Sequence, residues 1–481
     1  MPPRTFTFFV AMLLAFILVT ESPASAQPAA DGGPPTLTLA QLAERTLHRR
    51  AVEAVIWGMP AVNAELMFRA MADAGADFNQ VVYWSRPLNW KNQTLTPNPD
   101  TIYLMPFYNT KDGPIVLEIP PADEGSITGS VDDAWQNALE DVGPAGVDKG
   151  KGGKYLILPP GYKEKLPDGY IALPSDTFQG FAILRSNLNS ESEADIAKAV
   201  AYGKRVKFYP LAQAGKDPKT TFVDAFGVMF DSTIPYDLRF FESLDRFVQA
   251  EPWLTRDKAM IDLLKSIGIE KGKAFQPDAR GKEILKEAAA EARAVLDSKY
   301  EEVFDPPFNK EARWALPASP EVVEGMSTFF SKPDSYPTDG RGVTYSMGYF
   351  SAKHLGTGQF YLMTVKDKDG KAFDGGNAYR LSVPANAPVK LYWSATAYDR
   401  ATHALIRDMK WASRSSNTPK LQKNKDGSVD IYFGPKAPEG KESNWVPTNP
   451  KGQFEVLFRF YGPEKPLFDK TWKLSDIEKA N

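Results

Sequence analysis

Asn98 stands between two prolines in the run Thr96-Pro97-Asn98-Pro99-Asp100-Thr101-Ile102-Tyr103. Proline fixes φ, so such a loop aims its amide and carboxylate groups with little ordering entropy left to lose on binding. As chemistry, Asp100 would be a general acid or base or a cation ligand, Asn98 a hydrogen-bond donor, and Tyr103 a phenol donor or ring platform. As structure, the same residues make a turn, with Asp100 accepting from the amides that follow it. Turns of this composition are common, and on residue types alone the turn is favoured.

Other segments that invite a chemical reading carry less. Asp367-Lys368-Asp369-Gly370 and Asn424-Lys425-Asp426-Gly427 look like fragments of calcium loops. An EF-hand needs a further ligand upstream and a Glu at position twelve; Val365 and Gly376 stand there instead. Both are read as Asp-Gly hairpin turns joining two strands. His48, His354 and His403 are isolated from one another in sequence, and each is read as a hydrogen-bonded structural residue. Asp237 is placed to cap the helix that follows it. Serine-hydrolase elbows, zincin motifs, Walker loops and dinucleotide fingerprints are missing from the sequence.

Composition narrows the field further. Cys is 0 and His is 3 in 481 residues, which removes disulfides, thiolate metal sites and cysteine nucleophiles, and leaves little for a histidine metal centre. If a cation is used, oxygen-ligated Ca²⁺ or Mg²⁺ suits this composition best, although no cofactor is evident. Lys+Arg 57 against Asp+Glu 60 gives no basic footprint for nucleic acid. What remains is carboxylate, amide, tyrosine and arginine chemistry.

The elements that must position these residues begin after an address. Arg4, the apolar run 6–20 and Ala24-Ser25-Ala26 read as a signal peptide over 1–26, too short to span a bilayer. The expectation is a periplasmic or secreted bacterial protein with no stable membrane anchor, preceded by a disordered lead-in at 27–36. Hydrophobic residues are 43%, enough for packed cores, and the length points to two bodies rather than one. Apolar spacing predicts two helices between Leu39 and Ala74, broken at Gly58-Met59-Pro60. Strands are expected at 101–108, 115–119, 155–158, 170–172 and 177–188, helices at 191–206, 237–251, 256–266 and 282–300, then strands at 343–349, 359–365, 378–383, 389–398, 429–433 and 454–461. The fold class is therefore α+β and β-rich: two antiparallel, sandwich- or jelly-roll-like modules, 37–190 and 314–481, joined by a helical connector at 191–313 and preceded by N-terminal helices.

The motif at 96–103, together with Tyr379-Arg380-Leu381-Ser382-Val383-Pro384, Tyr392-Trp393-Ser394-Ala395-Thr396-Ala397-Tyr398-Asp399, Asn444-Trp445-Val446-Pro447-Thr448 and the run 458–463, resembles a paired family of bacterial modules of unknown function. These are domain 1254 at the N-terminal side and domain 1214 at the C-terminal side. The resemblance implies a two-module, β-rich exported protein, and no particular reaction. Its motifs single out Asn98, Asp100 and Tyr103 from the first module and Arg380, Trp393, Tyr398 and Asp399 from the second as candidate catalytic and substrate-binding residues. The expectation is an enzyme acting on a small or oligomeric organic substrate. The alternative is a non-catalytic ligand- or glycan-binding envelope protein, in either case with self-association open.

Overall fold

The computed structural model describes residues 37–349 and 352–480, so the leader and lead-in expected at 1–36 lie outside the described residues. The chain divides into a short unit, Met1–Ala43, whose described part begins a helix, and a large one, Glu44–Asn481, to which the sheets and all sites belong.

Twelve strands build the first half. They are β1 (Gln80–Tyr83), β2 (Asn92–Gln93), β3 (Ile102–Asn109), β4 (Ile115–Ile119), β5 (Ile127–Asp133), β6 (Ala138–Val142), β7 (Gly153–Leu158), β8 (Ile171–Pro174), β9 (Gln179–Ser186), β10 (Lys207–Pro210), β11 (Phe222–Asp224) and β12 (Phe230–Asp231). A six-stranded sheet ordered β11-β1-β3-β9-β5-β6 faces a four-stranded sheet ordered β10-β4-β7-β8. Val81, Leu104, Leu117, Val131, Ile157 and Leu184 from the two sheets share one buried cluster, as the inner faces of a sandwich must. The second half holds β13 (Gln359–Thr364), β14 (Phe373–Asp374), β15 (Tyr379–Val383), β16 (Val389–Asp399), β17 (Ser413–Ser415), β18 (Val429–Gly434), β19 (Trp445–Pro447), β20 (Gln453–Pro463) and β21 (Glu478–Lys479). Its sheets run β13-β20-β16-β17 and β19-β18-β15-β21, with Leu381, Ile431, Phe433, Phe454 and Phe458 between them.

Between the sandwiches lies a layer of helices, α1 (Leu39–Asp73), α3 (Leu238–Ala250), α4 (Lys258–Lys265), α5 (Ala279–Tyr300), α6 (Pro320–Thr328) and α7 (Thr338–Met347), while α2 (Glu193–Gly203) packs on the first sandwich. All but α2 contribute to a third core. That core also takes the outward faces of both sandwiches: Tyr103, Met105, Phe181 and Ile183 from the first, Tyr361, Met363, Tyr398 and Leu457 from the second. The two modules are thus joined through their sheets and helices as one α+β body, and neither closes into a barrel.

Several expectations need correction. The sheets are mixed, because β1·β11, β2·β12, β7·β8 and β18·β19 pair in parallel. The connector does not start at 191. Helix α2 packs on β3 and β9, and β10, β11 and β12 return to first-module strands, so the helical layer begins with α3, whose N-cap is Asp237 as expected. Strands of two to four residues are too short to show alternation, which is why this return was not legible.

Pro60 does not split α1, which is continuous. A mid-helix proline withdraws the N–H that residue i−4 would accept. Here the freed Ile56 carbonyl is covered by the close approach of Gly342, where a Cβ would lie 3.0 Å from it. Asn63 and Gln136 add hydrogen bonds, from Asn63 to the Tyr345 carbonyl (2.8 Å) and from Gln136 to that of Pro60 (2.9 Å). Residues 343–347 of the run 343–349, read as a strand, instead form the C-terminal half of α7, because the aromatic and β-branched run is buried among helices and packing overrides local preference. The turn at Gly370 (φ +80°) makes the expected hairpin bend, bridging Lys366 and Ala372. Gly427 (φ +85°) feeds β18 alone, with no strand before it.

Gly180 sits at a crowded point of the six-stranded sheet: a Cβ there would lie 2.2 Å from Tyr108 Oη and 2.4 Å from the Asp132 carbonyl, which are bonded to each other at 2.9 Å. Gly180→Ala is expected to lower stability by about 2 kcal/mol through overpacking and loss of that bond. A denaturant midpoint equal to wild type would refute this account of the sheet.

Candidate functional site

The loop between β2 and β3 is inserted against the second module. Thr96 N–H donates to the His403 carbonyl (2.7 Å), and Tyr398 Oη donates to the Pro97 carbonyl (2.6 Å). Arg459 donates to the Thr96 carbonyl (2.8 Å) and the Pro97 carbonyl (3.3 Å), and through its other nitrogen to Thr396 Oγ1 (3.0 Å). Asn98 is 1% exposed and uses both sides of its amide. Its Nδ2 donates to Tyr392 Oη (2.8 Å) and Tyr461 Oη (2.9 Å), while its Oδ1 accepts from Asp100 N–H (3.0 Å). Those two tyrosines are cross-strand partners on β16 and β20, with rings stacked at 4.5 Å. Backbone N–H of Asn98 donates to Tyr103 Oη (3.1 Å).

Asp100 is buried and accepts from Ser413 Oγ (2.7 Å). Burial, with the nearby Glu191 charge adding to it, pushes its carboxyl up to about 6, although Ser413 and Arg459 favour the ionised form.

Of the residues singled out by sequence, Asn98, Asp100, Tyr103 and Tyr398 come together, and three do not. Arg380 lies on β15 in the outer sheet, half-exposed and ion-paired with Glu478. Trp393 is in the second sandwich core, stacked on Phe458 at 5.4 Å. Asp399 holds a turn, its Oδ1 accepting from the amides of Ala401 (2.9 Å) and Thr402 (3.1 Å). Side chains alternate across a strand, so Tyr392, Thr396 and Tyr398 face the first module while Trp393, Ala395 and Ala397 face the other way. Among the described residues no group of three or more His, Asp or Glu is placed to hold a metal ion.

Tyr103 leads to a feature that the motifs did not flag. Its Oη also accepts from Arg185 Nε (3.2 Å), and the guanidinium lies 5.2 Å from its ring centroid. Arg185, on β9, is 9% exposed, and among the described residues no carboxylate forms an ion pair with it. Two small cavities meet at Ile183, Arg185 and Tyr349. One, of about 30 Å³, runs under the loop along Thr94, Thr96, Pro97 and Tyr103. The other, of about 20 Å³, is bounded by Ser130, Asp132, Gln359, Tyr361 and Leu355. Each has room for an ordered water or two.

Outside them lies a cleft of about 720 Å³ with Val303, Phe308, Leu316 and Val323 on its walls and Lys353 and His354 beside them; Ala352 and Leu355 line both it and the inner cavity. This dividing segment is tied to β6. Asp141 accepts from Lys353 N–H (3.0 Å), His354 N–H (2.7 Å) and Ser130 Oγ (2.7 Å), with His354 Nδ1 at 3.2 Å. Lys353 Nζ pairs with Glu140 at 2.8 Å. A signal for Arg185 did exist: in β9, Phe181, Ile183 and Arg185 share a face by alternation, so the sequence puts a cation on an apolar stripe.

Fold and site together define a two-sandwich α+β protein in which a loop of the first module forms the roof of an internal arginine-bearing chamber. The chain belongs to the paired family of proteins of unknown function, with domain 1254 matched at residues 78–210 and domain 1214 at 358–465. The crystal structure of the VPA0106 protein from Vibrio parahaemolyticus is similar in fold, with a TM-score of 0.57 at 18% identity, covering 90% of this chain and 100% of that one. An uncharacterized protein from Burkholderia cenocepacia aligns with a TM-score of 0.39 at 9% identity, covering 91% and 94%. No curated protein matches the chain.

The two carriers of charge in the loop network should respond oppositely to neutralisation. Asp100 holds its proton more tightly folded (about 6) than unfolded (3.8), so its contribution to stability is full below pH 4 and is lost as pH rises through 6, a change of about 3 kcal/mol. Asp100→Asn, which keeps an oxygen for Ser413, is expected to be more stable than wild type at pH 8 and equal to it at pH 4 in urea unfolding; the same offset at both pH values would contradict the burial argument. Arg459→Met strands the Thr96 and Pro97 carbonyls and is expected to cost on the order of 3 kcal/mol at either pH.

Proposed function

We propose that this is an exported protein that binds a small organic molecule at Arg185, between its two sandwiches, through a carboxylate or similar anionic group. The observation that carries the reading is a cation nine-tenths buried, without a carboxylate partner among the described residues, at the corner where two cavities meet. A buried guanidinium that no carboxylate neutralises costs several kcal/mol, which one hydrogen bond to a tyrosine hydroxyl offsets only in part, so such a group is poorly explained by folding alone. Guanidinium binds carboxylate in a fork, and Tyr103 Oη holds one edge of it, which leaves the terminal nitrogens for a ligand.

Asp100 and Asn98 serve this site as anchors of its roof: neither lines the cavities, whereas Thr96, Pro97 and Tyr103 of the same loop do. The glycan-binding alternative is weaker, because Trp393, its best stacking platform, is packed inside the second core. Export rests on the sequence of residues 4–26 and entails a mature chain starting at Gln27, which intact mass of protein recovered from a periplasmic extract would check; unprocessed protein confined to the cytoplasm would contradict it.

Arg185→Met is the test of the site. Removing a buried charge that no carboxylate neutralises costs little more than its hydrogen bond to Tyr103 Oη, so the variant is expected to stay close to the wild-type Tm while losing carboxylate binding in calorimetric titration. A clear fall in Tm with binding intact would make Arg185 a structural residue and end the proposal.

A further inference from the structure

We infer that the ligand is a one- or two-carbon carboxylate, formate or acetate, enclosed between Arg185 and Asn92 in the cavity beneath the loop at 96–103; the inference rests on the reading of Arg185 given above. Two cavities touch the guanidinium, and charge tells them apart. In the one under the loop, Arg185 is the one charged group among the described lining residues. The other contains Asp132, whose carboxylate disfavours an anion there. Strand β5 pairs Thr128 with Arg185 and Asp132 with Phe181, so the backbone of Asp132 stands four residues, roughly 13 Å, along the sheet from the position opposite the arginine. An anion is favoured on the loop side.

The donors there suit a carboxylate. Arg185 Nε is taken by Tyr103 Oη (3.2 Å), and no acceptor among the described residues bonds its terminal nitrogens, the end of a guanidinium that grips a carboxylate as a fork. Asn92 lines the same cavity and supplies a third donor. Its Oδ1 accepts from Thr94 N–H (3.3 Å) and Thr94 Oγ1 (2.6 Å). A backbone N–H only donates, so the amide is turned with its oxygen to Thr94, and its Nδ2, bonded to no acceptor among the described residues, is left for a ligand. Asn92 is 3% exposed, and a buried amide nitrogen calls for a partner. Size then limits the class. About 30 Å³ is room for an ordered water or two, and the two oxygens of a carboxylate stand where those waters would. Leu88, Leu95, Met105 and Ile183, all buried, close the walls, so each carbon beyond a methyl meets packed side chains. Thr96 and Pro97 close the top, held there through their carbonyls by Arg459 (2.8 Å) and Tyr398 (2.6 Å).

The experiment titrates the full mature chain calorimetrically with formate, acetate, butyrate and octanoate, and with acetamide as the neutral match to acetate. Formate and acetate are expected to bind, with butyrate and octanoate weaker by about tenfold or more, because added methylenes overpack a closed site. Acetamide is expected to bind about tenfold or more below acetate, since it lacks the charge that the guanidinium pairs. Asn92→Asp keeps an oxygen for Thr94 and puts negative charge where Nδ2 stood, and is expected to weaken acetate by about tenfold or more. Leu95→Ala opens a wall and is expected to admit butyrate. The wild-type series stays decisive should that variant fail to fold. Octanoate that binds as tightly as acetate, and is lost in Arg185→Met, would overturn the small ligand and leave the anion site standing. Acetate binding that is lost in Arg185→Met but unchanged in Asn92→Asp would overturn the placement under the loop, again leaving the anion site. No carboxylate binding, or binding indifferent to Arg185→Met, would overturn both.

Discussion

A proline-flanked loop supplies backbone carbonyls and one amide side chain to a bed of buried tyrosines and an arginine on another module, and the rest of the structure depends on that insertion. The loop carbonyls at Thr96 and Pro97 leave water only because Arg459 and Tyr398 take their place. Asn98 does the same for Tyr392 and Tyr461, whose hydroxyls would otherwise be buried without a partner. Each side satisfies the other, so neither face is complete alone. Buried polar networks of this kind are costly when half made and specific when whole, which ties the relative position of the sandwiches to a few hydrogen bonds rather than to apolar area, which is indifferent to register.

The same residues explain why a cavity survives in the middle of the protein. Tyr103 accepts from the Asn98 amide on one side and from Arg185 on the other, so the group that pins the loop also orients the guanidinium. The sheets could not close over this place without burying Arg185 against an apolar wall. The second sandwich instead presents Gln359 and Tyr361 to it, with Ser130 and Asp132 along the first. Polar side chains on facing sheets hold open a space that apolar ones would have filled.

The regular elements were largely legible. The helix at 282–300 and the strands at 115–119 and 359–365 were placed within a few residues, because each is long enough for its period to show and is bounded by Gly, Pro or Asp. Misreadings fell where tertiary packing outweighs local preference: Pro60 inside a helix enclosed by others, and the β-branched run at 343–347 buried in α7. In the site, the importance of Asn98, Asp100 and Tyr103 was visible and their work was not. Arg380 and Trp393, chosen because they stand in matching motifs, illustrate the limit: strand alternation alone separates Trp393 from Tyr398, and no motif says which face of a strand is turned to the other module.

By itself the sequence determined the class of protein: a cysteine-free, two-module β-rich chain without a basic footprint, with a rigid polar loop and an apolar run at 6–20. These follow from composition and short-range pattern, which any segment carries locally. Only the tertiary structure decided what the loop touches, that Asp100 is sealed behind it while Tyr103 looks into a chamber, and that Arg185 has no carboxylate partner among the described residues. Those facts depend on contacts between residues as far apart as Asn98 and Tyr461, and distance along a chain says nothing about which side chains will meet when two sheets close on one layer of helices.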